Sequence, residues 1–378
     1  IRSEGAGRGG QFGIRALNDA AGPLSIVANG GVTSDTDDAI RAYNIGTSLT
    51  IETRGVVLGG DDGIDAENFG TGGLSIAAYG DVTGSGGNAV QAFNSAADVT
   101  SSMAIYHGPG TTVTGANDGI NADNAGGSLT ITALGSVIGQ SGDGIQAVNQ
   151  ATATDLTINA DVVSGAAYAI RTQNLGTGAT RITTTGALTG GTGDGIWARG
   201  DATTTDLVIN AAGPVSGRFG IRGFNDGTGA TSVVTTGDVT GTEQSGLLAE
   251  GAGTALTIVT QGSVTGGYFG ISARNSGTGN TLVQASGPVI GGTGSGIFAV
   301  NEAGSGDLAI SAGDVTGANG IRVRNEGTGA LVVESDNTIT GTNGYGLWAE
   351  NETTGTDLVL RVNAVSGTDN GIIAENYD

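Results

Sequence analysis

Cysteine is absent from the 378 residues, so no disulfide staples this fold. Lysine is absent as well: all 14 basic residues are arginine, set against 36 Asp and Glu, for a formal net charge of -22. A surface of that sign repels phosphate backbones and anionic lipid heads, which excludes nucleic acid and an anionic membrane surface as partners. No apolar run reaches the length of a membrane-spanning helix, so the chain does not read as membrane-embedded. Proline occurs only 4 times and forms no triplet pattern with the 74 glycines, which excludes collagen and points to many tight turns. Hydrophobic residues are 37% of the chain and regularly spaced, which argues against a disordered tract.

What the chain does have is one six-residue phrase that keeps returning. It reads GIRALN from Gly13, GIDAEN from Gly63, GINADN from Gly119, GISARN from Gly270 and GIIAEN from Gly371. There are 15 copies, beginning at Gly13, Ala39, Gly63, Ala89, Gly119, Gly144, Ala169, Gly195, Gly220, Gly246, Gly270, Gly296, Gly320, Gly346 and Gly371, at intervals of 24 to 30 residues. A fixed period of this size is the signature of a solenoid. Each repeat carries three apolar pulses. The phrase alternates Ile and Ala with polar residues; a Leu-x-Ile pair follows, as at Leu49 and Ile51; a Val-Thr-Gly closes the coil, as at Val82 to Gly84. The period of two predicts strands, and no stretch holds a helical period. Equivalent strands nearly identical in sequence are expected to stack on one another from coil to coil. The chain therefore reads as all-β, a parallel β-helix with three short strands in three sheets, in about 14 to 15 coils of about 25 residues. One domain, 1–378, is expected, with an incomplete first coil at 1–12 and an irregular coil with a longer loop at 95–110.

Thirteen of the 15 phrases end in Asn: Asn18, Asn44, Asn68, Asn94, Asn124, Asn149, Asn174, Asn225, Asn275, Asn301, Asn325, Asn351 and Asn376. Gly200 and Gly251 take the other two places. Asn tolerates a left-handed corner and its amide both donates and accepts, so an inward structural ladder is expected. The alternate, outward positions hold Arg15, Arg41, Tyr43, Phe93, Arg171, Trp197, Arg199, Arg222, Phe224, Arg274, Phe298, Arg322, Arg324 and Trp348. Arginine and aromatics are the enriched anchors of interfaces, and together they mark a contact face for a second copy or a glycan. The competing reading is a solvated β-face on which aromatics stack for strand stability. Phe12, Phe219 and Phe269 directly precede the phrase and are expected to cover a corner of the core.

The pairing of GDVTG, at Gly80 to Gly84, with Asp143-Gly144-Ile145-Gln146-Ala147-Val148-Asn149 resembles the Gly/Thr/Asn-rich passenger repeats of bacterial autotransporter-like surface proteins. The resemblance covers nearly the whole chain, and it implies a right-handed β-helix displayed outside the cell or on the bacterial surface as a stalk, adhesin or structural filament. The chain opens in mid-phrase at Ile1 and stops just after Asn376, without polar caps. End-to-end stacking of subunits and excision from a longer passenger are both expected readings of those ends.

The best catalytic grouping is Asp65 and Glu67 on the outward face, Asp123 two coils later and His107 from the irregular loop, an acid and base set for glycan cleavage. Outward carboxylates are common in so acidic a chain, and the expectation is a non-enzymatic protein without cofactor. The Asp that precedes the phrase, at Asp38, Asp62, Asp118, Asp143 and Asp194, invites a calcium reading. Asp-Gly is ordinary turn chemistry, and no nine-residue calcium repeat accompanies it, so no metal is expected.

Overall fold

The computed structural model describes residues 1–95 and 98–377. It is an all-β parallel β-solenoid of about 15 turns, with no helix among the described residues, and the chain divides into two compact units, Ile1–Gly193 and Asp194–Asp378.

In the first unit the phrase strands Ile14–Asn18, Ile40–Asn44, Ile64–Asn68, Val90–Asn94, Ile120–Asn124, Ile145–Asn149 and Ile170–Asn174 stack in parallel, each residue over its counterpart one coil away. The Leu-x-Ile segments form a second column of strands, from Leu24–Ala28 to Thr180–Thr184, and the Val-Thr-Gly segments a third. The alternation that suggested strands is the alternation of burial: Ile40, Ala42 and Asn44 point inward, Arg41 and Tyr43 outward. Ile40, Ile64, Ile120 and Ile145 are fully buried in one file. Each such side chain contributes about 1.5–3 kcal/mol, so the file is a main source of stability.

Among the described residues only Gly110 and Gly304 have a positive φ, and no non-glycine residue does. The phrase-closing Asn therefore does not turn a left-handed corner as expected; its amide is what the position uses. Glycine at the head of the phrase answers a close approach instead. A Cβ on Gly63 would lie 2.6 Å from the Ala89 carbonyl oxygen and 2.7 Å from Val82 Cγ1.

The irregular coil keeps its strands. Met103–His107 pairs in register with Leu74–Ala78 below and Leu129–Ala133 above. The extra length goes into turns: 108–112 stands where the neighbouring coil has 79–81, with Gly110 at φ 72°. The remainder lies between Asn94 and Met103, where residues 96 and 97 of the expected loop fall outside the described residues.

The second unit repeats the plan from Ile196–Gly200 to Ile372–Asn376. One feature departs from three separate sheets. Leu308–Ala312 and Val315–Gly317 both pair with a single long strand, Leu331–Gly341, which pairs in turn with Leu358–Gly367. Earlier coils break between the two columns at a glycine such as Gly262 or Gly313; here Ser335-Asp336-Asn337 and Asn363 keep the chain extended, with a register shift between Ser335 and Thr338. The second and third columns thus join into one sheet.

Candidate functional site

The asparagine column is the first site that coil stacking builds. Asn18 Nδ2 donates to Asn44 Oδ1 at 2.6 Å, Asn44 to Asn68 at 2.7 Å, Asn68 to Asn94 at 2.8 Å, Asn94 to Asn124 at 2.9 Å and Asn124 to Asn149 at 3.1 Å. Each amide also closes its own turn: Asn68 donates to the Gly72 carbonyl at 2.6 Å and accepts from the Gly70 N–H at 3.4 Å. In the second unit the ladder runs over Asn325, Asn351 and Asn376, at 2.9 and 2.7 Å. Asn225 lies between Gly200 and Gly251 and serves its own turn, and Asn174 over Asn149 and Asn275 under Asn301 likewise spend their amides on turn backbone; Asn275 donates to Gly279 O at 2.8 Å and accepts from Gly277 N–H at 3.0 Å. Threonine fills the gaps at the two glycines. Thr204 Oγ1 donates to Asn225 Oδ1 at 3.2 Å, and a Cβ on Gly251 would lie 2.8 Å from Thr231 Oγ1. Thr281 Oγ1 likewise donates to Asn301 Oδ1 at 2.5 Å.

A second polar ladder stands at the residue before the phrase, where sequence reasoning saw only turn aspartates. Asp38 Oδ1 accepts the Asp62 N–H at 3.2 Å, Asp62 the Asn88 N–H at 2.5 Å, Asn88 Oδ1 the Asp118 N–H at 2.9 Å, Asp118 the Asp143 N–H at 2.7 Å and Asp143 the Tyr168 N–H at 3.2 Å. In the second unit Asp194 accepts from Phe219 at 3.4 Å. The signal was present, an Asp or Asn at one fixed offset in successive coils. Asp38, Asp118, Asp143 and Asp194 are buried, and burial raises the pKa of each against the backbone N–H bonds and arginines that lower it. Burial pushes Asp62 up to about 6.

The outward arginines are largely spent on this ladder and on other carboxylates. Arg41 reaches Asp38 at 3.3 Å and Asp65 at 3.7 Å; Arg171 reaches Asp143 at 3.8 Å, and Arg222 reaches Asp194 at 2.7 Å. Arg199 pairs with Asp201 and Asp226, Arg274 with Glu302, and Arg324 with Glu326, Glu350 and Glu352. The aromatics stack. Tyr43, Phe69 and Phe93 form a chain in the first unit with centroids 5.1 and 5.4 Å apart. In the second, Phe269 stacks on Phe298 with Tyr268 tilted against Phe269, Arg322 lies 5.8 Å from the Phe298 centroid and 4.7 Å from that of Trp348, and Tyr345 meets Trp348 edge-on. Trp348 Nε1 donates to Glu375 Oε2 at 3.3 Å. Arg15 lies over Phe12, and Arg222 lies between Phe219 and Phe224. Phe12, Phe219 and Phe269 are half-buried ring platforms rather than closed covers over the core, and Trp197 is half-buried on its strand.

The four residues of the catalytic grouping do not assemble. Asp65 and Glu67 share the outward face of one phrase strand, but Asp65 is buried and held against Arg41. Burial, with Glu67 nearby, pushes its carboxyl up to about 7. Asp123 accepts from Gln150 Nε2 at 2.8 Å. His107 is not a surface loop residue: it ends a second-column strand, stacked between Ala78 and Ala133, and is 1% exposed. Its Nε2 lies 2.6 Å from Thr111 Oγ1, and burial lowers its pKa to about 4, so it is neutral. The expectation of a loop histidine failed because the coil's added residues entered the turns and left the strand register intact. Among the described residues, Asp37, Asp38 and Asp61 bring carboxylate oxygens within 4.8 Å of one another, with Asp38 already engaged by Arg41 and the Asp62 N–H.

Comparison with protein-family models, curated proteins and solved structures found no significant match to this chain. The class is therefore defined by the fold alone, a parallel β-solenoid with a stacked asparagine ladder.

Proposed function

We propose that the chain is a non-enzymatic solenoid with a structural or adhesive role outside the cell, presenting its phrase-sheet face to a glycan or to a further copy of itself. The observation that supports this most is the coupling of outward side chains between coils: arginines pair with carboxylates and rings stack on rings along the column, so the face is an ordered surface rather than a set of independent charges. Ordered arginine and aromatic surfaces suit recognition. Glycan cleavage, the alternative, has less behind it. An acid and base pair must both reach one bond, whereas Asp65 is held by Arg41 and His107 is buried in a different column of strands. Incubating the protein with a panel of neutral and acidic polysaccharides tests the reading. No new reducing ends are expected; their release, abolished by Glu67→Gln, would overturn it. Sedimentation at increasing concentration tests self-association, for which a concentration-dependent rise in mass is expected.

A further inference from the structure

Within the second unit one outward column of the phrase sheet runs Arg274, Val300, Arg324 in direct register over successive coils. Two long arginines stand two coils apart, about 9 to 10 Å, with a short aliphatic side chain between them. The result is a slot. It has a volume of about 500 Å³, within the range of small-ligand clefts, and Phe298 and Val300 form its floor. Its rim is made by Arg274 with Glu302 and by Arg324 with Glu326. The Phe298 ring is braced from one side by Phe269, with centroids 5.1 Å apart and planes 11° apart, so the floor is preorganised.

The chemistry of the slot selects its occupant. Arg274 and Arg324 face Glu302 and Glu326 across the slot, and Arg324 also pairs with Glu350 and Glu352, so carboxylates outnumber guanidiniums and an anionic polymer is repelled, while every guanidinium is already matched by a carboxylate. An anion meets Glu302 and Glu326 there, and a cation meets Arg274 and Arg324. A neutral ring with hydroxyls around its edge satisfies both, accepting from guanidinium N–H groups and donating to carboxylate oxygens, while its C–H face lies on Val300 beside the edge of Phe298, whose ring faces meet Phe269 and Arg322. We propose that this slot binds one neutral pyranose unit of a glycan. This rests on the adhesive reading above and gives it a ligand class and a place.

Affinity electrophoresis of the full chain through gels carrying a neutral glucan, a mannan, a soluble chitin derivative or the anionic polymer polygalacturonate tests it, each run normalised to a sugar-free gel. Retardation is expected in at least one neutral gel and not in the anionic one. Val300→Glu places a carboxylate between the two arginines, as Glu250 already occupies this column, and is expected to weaken retention about tenfold with an unchanged circular dichroism spectrum. Should that variant fail to fold, Glu326→Gln removes one rim acceptor from a solvent-reachable position and is expected to weaken the same retention. Equal retention of the wild type and a folded Val300→Glu protein rejects the slot while leaving the adhesive reading standing. Retention only in the anionic gel also rejects the slot. No retention in any gel rejects both the slot and glycan adhesion.

Discussion

The two units use one backbone plan and balance their polar interiors differently. In the first, six asparagines hydrogen-bond in an unbroken series from Asn18 to Asn149, and five of the six positions from Asp38 to Tyr168 pass a backbone N–H to an acid or amide one coil away. In the second, Gly200 and Gly251 interrupt the amide series, threonine hydroxyls take up the space, and the exposed face is organised by arginine, carboxylate and ring. A solenoid thus tolerates a missing rung when a neighbouring hydroxyl fills it, because each coil depends chiefly on the coils next to it.

The largest effect that sharpens this contrast is expected from Asn68→Ala. Asn68 donates to Asn94 and Gly72 and accepts from Asn44 and Gly70, all inside the molecule. Its loss orphans buried partners and is expected to cost about 2–4 kcal/mol in chemical denaturation. Asn275→Ala, which breaks only the two turn bonds, is expected to cost about 1–2 kcal/mol. Equal costs would break the comparison.

Restoring the missing rung is expected to do harm. Gly251→Asn drives a Cβ against Thr231 and is expected to destabilise by about 1–3 kcal/mol, with part of the loss recovered in the double variant with Thr231→Ala. A double variant no better than the single would show that the threonine is not what fills the gap.

The pH dependence of the first unit comes next. A carboxyl whose folded pKa lies above its unfolded value binds its proton more tightly when folded, so Asp65 adds stability as pH falls from above 7 towards 4. Asp65→Asn is expected to raise stability at pH 8 by on the order of 2 kcal/mol and to have little effect at pH 4. His107 has the opposite sign: its folded pKa is lowered to about 4, so its contribution is full above 6.5 and is lost as pH falls towards 4. Denaturation of His107→Ala is expected to show less loss between pH 6.5 and 4 than wild type.

The smallest effect belongs to the outer face of the second unit. Arg322→Gln removes a guanidinium from between Phe298 and Trp348 and is expected to cost about 0.5–1 kcal/mol, read as a small drop in melting temperature.

Much of this was legible because parallel in-register stacking repeats one environment in every coil, so the same residue type recurs wherever the environment does. The recurrence of Ile40, Ile64 and Ile120 marks the core, and that of Asn44, Asn68 and Asn94 marks the ladder, by spacing alone. The autotransporter-like resemblance stayed a matter of repeat style. The sequence by itself determined the solenoid, its strand columns and the inward or outward sense of the phrase residues, since period two and period 25 are properties of the chain. Only the tertiary structure decided which neighbour each polar group meets. The turn from 108 to 111 leaves His107 in its strand, stacked between Ala78 and Ala133, the close approach of adjacent coils holds Asp65 against Arg41, and the in-register position of Val300 opens a slot between two arginines. Those are relations between coils, set by distances across the stack, and no single repeat contains them.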